Sequence, residues 1–144
     1  MAGRKHKNYH IGYRLLILTV FVLYVASVIF CCLYAFPNAN LSLVKKLFGV
    51  SYDKVIHFIM FLPYPMLFSA LYRAVFMSAS NFKILVIALF SGLFFAGLTE
   101  LAQGLLTSVR TPDFYDYIAD CAAIGVSTLC SIFLLLLIPK DHGK

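Results

Sequence analysis

The sequence predicts an all-α protein, a four-helix transmembrane bundle with short loops and both termini on the cytoplasmic side. Three observations carry that expectation. Of 144 residues, 62% are hydrophobic and only 12% charged, against about 45–50% and about 25% in soluble domains. Four apolar runs, Leu15–Phe36, Val55–Phe76, Ile84–Leu106 and Tyr117–Ile138, match the roughly 20 residues that cross a hydrocarbon core of about 30 Å. The runs are continuously apolar, which excludes the alternating pattern of a membrane β-barrel.

In chain order, residues 1–14 form a basic cytoplasmic tail carrying Arg4, Lys5, Lys7 and Arg14, suited to anionic lipid headgroups. The first apolar run exceeds the roughly 7–15 residues of a secretory h-region, so it reads as an uncleaved anchor. The loop Pro37–Lys54 faces outward, and its stretch LVKKLFGV is a brief candidate interfacial helix. The second span contains Pro63 and Pro65. Proline lacks the N–H and clashes with the preceding turn, so a kink is expected near Ile59–Phe61, able to open a cleft on the outer half of the bundle. The short link Met77–Lys83 makes the second and third spans antiparallel neighbours. Ala88, Ser91, Gly92, Ala96 and Gly97 on the third span face a similar set on the fourth: Ala119, Ala122, Ala123, Gly125 and Ser127. Small residues let helix backbones approach closely in lipid, so these two spans should pair tightly. Residues 139–144 return to the cytoplasm.

The orientation follows from Lys and Arg placement. Arg4, Lys5, Lys7, Arg14, Arg73, Lys83, Lys140 and Lys144 fall on the side of the termini, and only Lys45, Lys46, Lys54 and Arg110 on the other. The net charge of +6 is accounted for by this asymmetry, and no nucleic-acid partner is expected. Cys31, Cys32, Cys121 and Cys130 lie in apolar runs without metal-ligand or disulfide spacing and read as small hydrophobes.

The polar residues are not scattered. Four of the six acidic residues lie between Glu100 and Asp120, where ionisable groups cost roughly 2.5–3.5 kcal/mol to insert and commonly mark a polar site. Thr111 is a candidate N-cap with Pro112 at the first helical position. Asp113, Asp116 and Asp120 then follow within a roughly 60° arc of one helix face. Asp53 and His57 stack four residues apart, and Glu100 and Gln103 share a face of the third span. Four antiparallel spans bring all of these to the extracytoplasmic end. Plainer roles stand beside a site: helix caps for Asp53 and Asp113, a hydrogen-bonded His57, an interhelical contact for Gln103, a headgroup contact for Arg110, or a structural ion network.

The pattern Asp53-Lys54-Val55-Ile56-His57, then Glu100-Leu101-Ala102-Gln103, then Arg110-Thr111-Pro112-Asp113-Phe114-Tyr115-Asp116 through Asp120 closely resembles the VanZ-like family of small bacterial membrane proteins. The resemblance covers about residues 50–138. It implies a four-helix bundle in the bacterial cytoplasmic membrane and an association with resistance to the glycopeptide teicoplanin. The family usually carries Asn where this chain has Asp120.

Three functions follow as expectations. The first is binding or modification of lipid-linked cell-wall precursor or glycopeptide-related material at the outer leaflet. There Lys54 and Arg110 would hold phosphate, and Asp53, His57, Glu100, Gln103, Asp113, Asp116 and Asp120 would complete the site. The second is a membrane-embedded hydrolase or transferase on phosphate or glycan. His57, Glu100, Asp116 and Asp120 are its candidate catalytic residues and its candidate ligands for a divalent cation. The third is a structural or small transport subunit with an internal ion-pair network or proton relay.

Overall fold

The computed structural model of the chain describes residues 2–34, 46–47, 50–76, 80–107 and 113–137. Five helices are present among them: α1 (Ala2–Leu33), α2 (Tyr52–Phe61), α3 (Tyr64–Val75), α4 (Asn81–Leu106) and α5 (Phe114–Leu137). With α2 and α3 joined end to end they supply four spans, Ile11–Leu33, Tyr52–Val75, Asn81–Leu106 and Phe114–Leu136, each long and apolar enough to cross a membrane. The architecture is the expected all-α four-helix bundle. Phe90, Phe94, Leu98, Leu101 and Leu105 on α4, with Leu129, Phe133 and Leu136 on α5, present their side chains outward. Lipid is the solvent that such a surface suits, and the chain is a multi-pass membrane protein.

The helix boundaries differ from those set by apolar runs, and for a consistent reason. The second and third spans begin at Tyr52 and Asn81, each three residues ahead of the apolar run that marks it in the sequence. Lys83, which the sequence places in the short link, is therefore helical. Ser80 caps α4, its Oγ accepting from the Lys83 N–H at 3.4 Å. The basic tail is also helical, continuous with the first span from Ala2. At 1.5 Å per residue, α1 is roughly 48 Å long, enough to project beyond a core of about 30 Å. The interfacial helix is not formed in the described part of LVKKLFGV: β1 (Lys46–Leu47) pairs antiparallel with β2 (Val50–Ser51) instead, Lys46 opposite Ser51 and Leu47 opposite Val50. This ladder leads directly into α2.

The two prolines break the second span at Leu62–Pro63, next to the predicted kink. Pro63 and Pro65 supply no N–H to the carbonyls one turn back, and the Tyr24 hydroxyl of α1 donates to the Met60 carbonyl at 2.7 Å. Tyr64 then fills the space beside the break, its ring stacked on Phe95 with centroids 5.6 Å apart. The core joins Val28 and Cys32 of α1, Phe61 of α2, Ala96 of α4, and Ala123 and Ile124 of α5.

The helices α4 and α5 pack along an extensive interface, in keeping with the small-residue pattern, but only part of each stripe is used, and α2 packs on α5 about as extensively. Ala88, Gly92 and Ala96 are buried on α4, and Ala123 and Ser127 on α5. Ala122 points outward, and a Cβ at Gly125 would meet open space. A Cβ at Gly92 would stand 3.0 Å from Tyr64 Cδ1 and 3.2 Å from Ile124 Cγ2. Gly92→Leu should therefore destabilise the bundle by about 1–3 kcal/mol through overpacking, measured by thermal unfolding in detergent micelles. Gly125→Leu should leave the transition unmoved.

Candidate functional site

The polar side chains of the second, third and fourth spans meet at one end of the bundle. This end is formed by the start of α2, the end of α4 and the start of α5. His57 and Asp120 are the innermost pair, 1% and 0% exposed. His57 Nδ1 lies 3.1 Å from Asp120 Oδ1 and 3.3 Å from Oδ2. An ionised carboxylate only accepts, so with Asp120 charged the proton sits on Nδ1 and a neutral ring turns its lone pair to Nε2. His57 Nε2 is buried and has no hydrogen-bond partner among the described residues.

One turn outward on α2 and α5, Lys54 Nζ donates to Asp113 Oδ2 at 2.7 Å and to Asp116 Oδ1 at 3.0 Å. It also lies 5.7 Å from the centre of the Tyr115 ring, within cation–π range. Its charge is thus committed to two carboxylates, which leaves it poorly placed as a free receptor for phosphate. Asp53 and Asp116 sit close together: with His57, each offers one ligand atom within 4.8 Å of the others.

Asp113 is the N-cap of α5, accepting the Tyr115 N–H on Oδ1 at 2.9 Å. Its carbonyl accepts from the Asp116 and Tyr117 N–H groups. The helix therefore starts two residues later than a Thr111 cap implies. A carboxylate that also pairs with Lys54 is a stronger, charge-assisted cap than a hydroxyl. Thr111 and Pro112 lie outside the described residues, as does Arg110. Ser51, not Asp53, precedes α2 at its cap position, and Asp53 lies in the first turn, where the helix dipole favours an anion.

Glu100 faces the same cluster from α4. Its Oε2 accepts the Asp113 N–H at 3.2 Å, so it helps to terminate α5, a role its own helix gives no hint of. Its Oε1 is buried without a partner among the described residues. Together with His57 and Asp120 it forms a second set whose ligand atoms lie within 4.8 Å of one another, all three residues buried. Gln103 turns elsewhere: its Nε2 donates to the Cys32 carbonyl at 3.0 Å and ties α4 to the end of α1. Tyr115 is the site residue that sequence reasoning passed over. Its one signal was an aromatic ring placed between two aspartates.

Among the described residues the charges do not balance. Asp53, Glu100, Asp113, Asp116 and Asp120 face one ammonium, Lys54, and one imidazole, His57, among the described residues. At an effective dielectric of about 20, two carboxylates about 5 Å apart repel by roughly 3 kcal/mol. Such a cluster takes up positive charge as protons, a bound cation or a cationic ligand group. It suits an amine, or a phosphate bridged by a metal ion, better than a bare anion.

Asp113, outside the spans, is held below the ordinary carboxylate range first by the Lys54 ammonium and then by the Tyr115 N–H. A lowered carboxyl pKa contributes stability that is present in full above the unfolded value of about 3.9 and is lost as pH falls through the lowered one. Unfolding of the wild type against Asp113→Asn in micelles should show a constant advantage near neutrality. That advantage should vanish on acidification below the ordinary aspartate range; one that grows on acidification would rule out the ion pair as its source.

No protein-family model matches the chain, and no curated protein or solved structure matches it either.

Proposed function

We propose that the chain is a VanZ-like protein of a bacterial cytoplasmic membrane whose polar end faces outward. There it binds a charged group of envelope material, either a lipid-linked cell-wall precursor or a glycopeptide-related ligand. The observation that carries this reading is the convergence of three motif segments, Asp53–His57, Glu100–Gln103 and Asp113–Asp120. They are far apart in sequence and share one end of the bundle. The outward orientation rests on the distribution of Lys and Arg. The excess of carboxylates favours an amine, or a metal-bridged phosphate, as the group recognised, with Lys54 holding Asp113 and Asp116 in place for it. The teicoplanin association comes from the family resemblance.

The His57–Asp120 pair favours a second reading, a membrane-embedded hydrolase or transferase on a phosphate or glycan. A carboxylate that orients an imidazole leaves Nε2 placed for proton transfer or for a metal ion.

Two experiments test the first reading. Reporter fusions after residues 76 and 107 should place the first in the cytoplasm and the second outside; the reverse pattern removes an outward-facing site. In a strain made teicoplanin-sensitive by deletion of the gene, the wild-type chain should restore tolerance. His57→Ala and Asp116→Asn, present in the membrane at wild-type level, should stay as sensitive as the deletion. Full tolerance with both variants takes these residues out of the role.

A further inference from the structure

We propose that the innermost layer of the polar end is a binding site for one divalent transition-metal cation, ligated by His57 and Glu100, with Asp120 as the residue that positions the imidazole. It stands whether or not the polar end takes an envelope ligand.

His57 Nε2 and Glu100 Oε1 are buried without partners among the described residues, and their residues, with Asp120, form one set in which each offers a ligand atom within 4.8 Å of the others. Both side chains are more than nine-tenths buried. A neutral imidazole nitrogen and a carboxylate oxygen, each shielded from water, are the donors that zinc and manganese take. Asp120 accepts from Nδ1 at 3.1 Å. That contact is the arrangement by which a carboxylate fixes the tautomer and orientation of a metal-bound histidine, leaving Nε2 to the ion. Charge agrees with the donors: Glu100 and Asp120 together carry the two negative charges that neutralise a dication. The ion would thus bridge α2 and α4 through His57 and Glu100, with α5 joined to it through the Asp120–His57 contact. Remaining coordination positions fall to water or to an oxygen of a bound headgroup.

A plain protonation network is the competing account, and it predicts no saturable metal binding. The test uses the full-length protein in detergent, stripped with a chelator and titrated with Mn²⁺ while free Mn²⁺ is followed by electron paramagnetic resonance. The expected result is one Mn²⁺ per chain, displaced by Zn²⁺. His57→Ala and Glu100→Gln should abolish it. The glutamine keeps an acceptor for the Asp113 N–H, and circular dichroism checks that the helices persist. Asp120→Asn should weaken binding by about 10–100-fold without abolishing it, as loss of a supporting carboxylate does. Thr128→Ala, which removes a buried unpartnered hydroxyl elsewhere on α5, should bind as the wild type does. Absence of saturable binding of either metal by the wild type overturns the proposal. So does binding that survives Glu100→Gln but is lost on Asp53→Asn, which would assign the ion to the outer set of Asp53, His57 and Asp116.

Discussion

A membrane interior offers no water to a charged side chain, and the polar end of this bundle is arranged around that constraint. The His57–Asp120 pair lies at its deepest point, with essentially no exposure. Directly beneath it, Phe61 is one turn below His57, Ile124 one turn below Asp120, and Ala96 one turn below Glu100. All three belong to the buried apolar core. The boundary between charged and apolar layers is therefore a single helical turn thick. Breaking one partner of such a pair strands the other in a low dielectric, at a cost of about 3–5 kcal/mol. That penalty fixes the register of α2 against α5 more firmly than apolar packing alone, in which one hydrophobic contact replaces another at little cost.

The broken second span makes this register reachable. The upper half, α2, packs chiefly on α5, whereas the lower half, α3, packs chiefly on α4 and α1. A continuous helix would present one straight face to all of them. The break at Leu62–Pro63 separates the two tasks, and Tyr24 of α1 donates to the Met60 carbonyl beside it. The first span thus does more than anchor the chain: it also receives Gln103 on the Cys32 carbonyl. Both contacts stitch α1 to the level of the site through backbone carbonyls, where any side chain at the acceptor position would serve equally.

That distinction explains what could be read from the sequence and what could not. Span number, the break at the prolines and the shared faces of Asp53 with His57 and of Asp116 with Asp120 follow from run length and helical spacing, which are local. Convergence at one end follows from antiparallel topology. The partners across helices do not follow, because no spacing rule says that Glu100 would reach the Asp113 N–H or that Gln103 would turn to Cys32. Local spacing offers both Thr111 and Asp113 as caps of the fourth span and does not choose between them. It is the Lys54 ammonium, 59 residues away in sequence, that gives the aspartate its advantage. The start at Asn81 lies outside the apolar run because the first turn of a span sits at the headgroup level and tolerates charge.

Asp120 is the deepest carboxylate of the polar end, and comparison with an asparagine at the same position shows what its charge contributes. An asparagine there would present both a donor and an acceptor to His57, so that either ring nitrogen could carry the proton. An ionised aspartate removes that freedom, because it can only accept: the proton stays on Nδ1 and the lone pair faces away from Asp120. It also deepens the negative charge of a layer that already contains Glu100. The two effects act together, since the same carboxylate that orients Nε2 as a donor of electrons raises the attraction of its surroundings for a cation. An aspartate at this depth would be a pure cost in a bundle that needed only a neutral polar contact, because Asn supplies one without a buried charge. Its presence is consistent with a requirement for charge at the centre of the polar end.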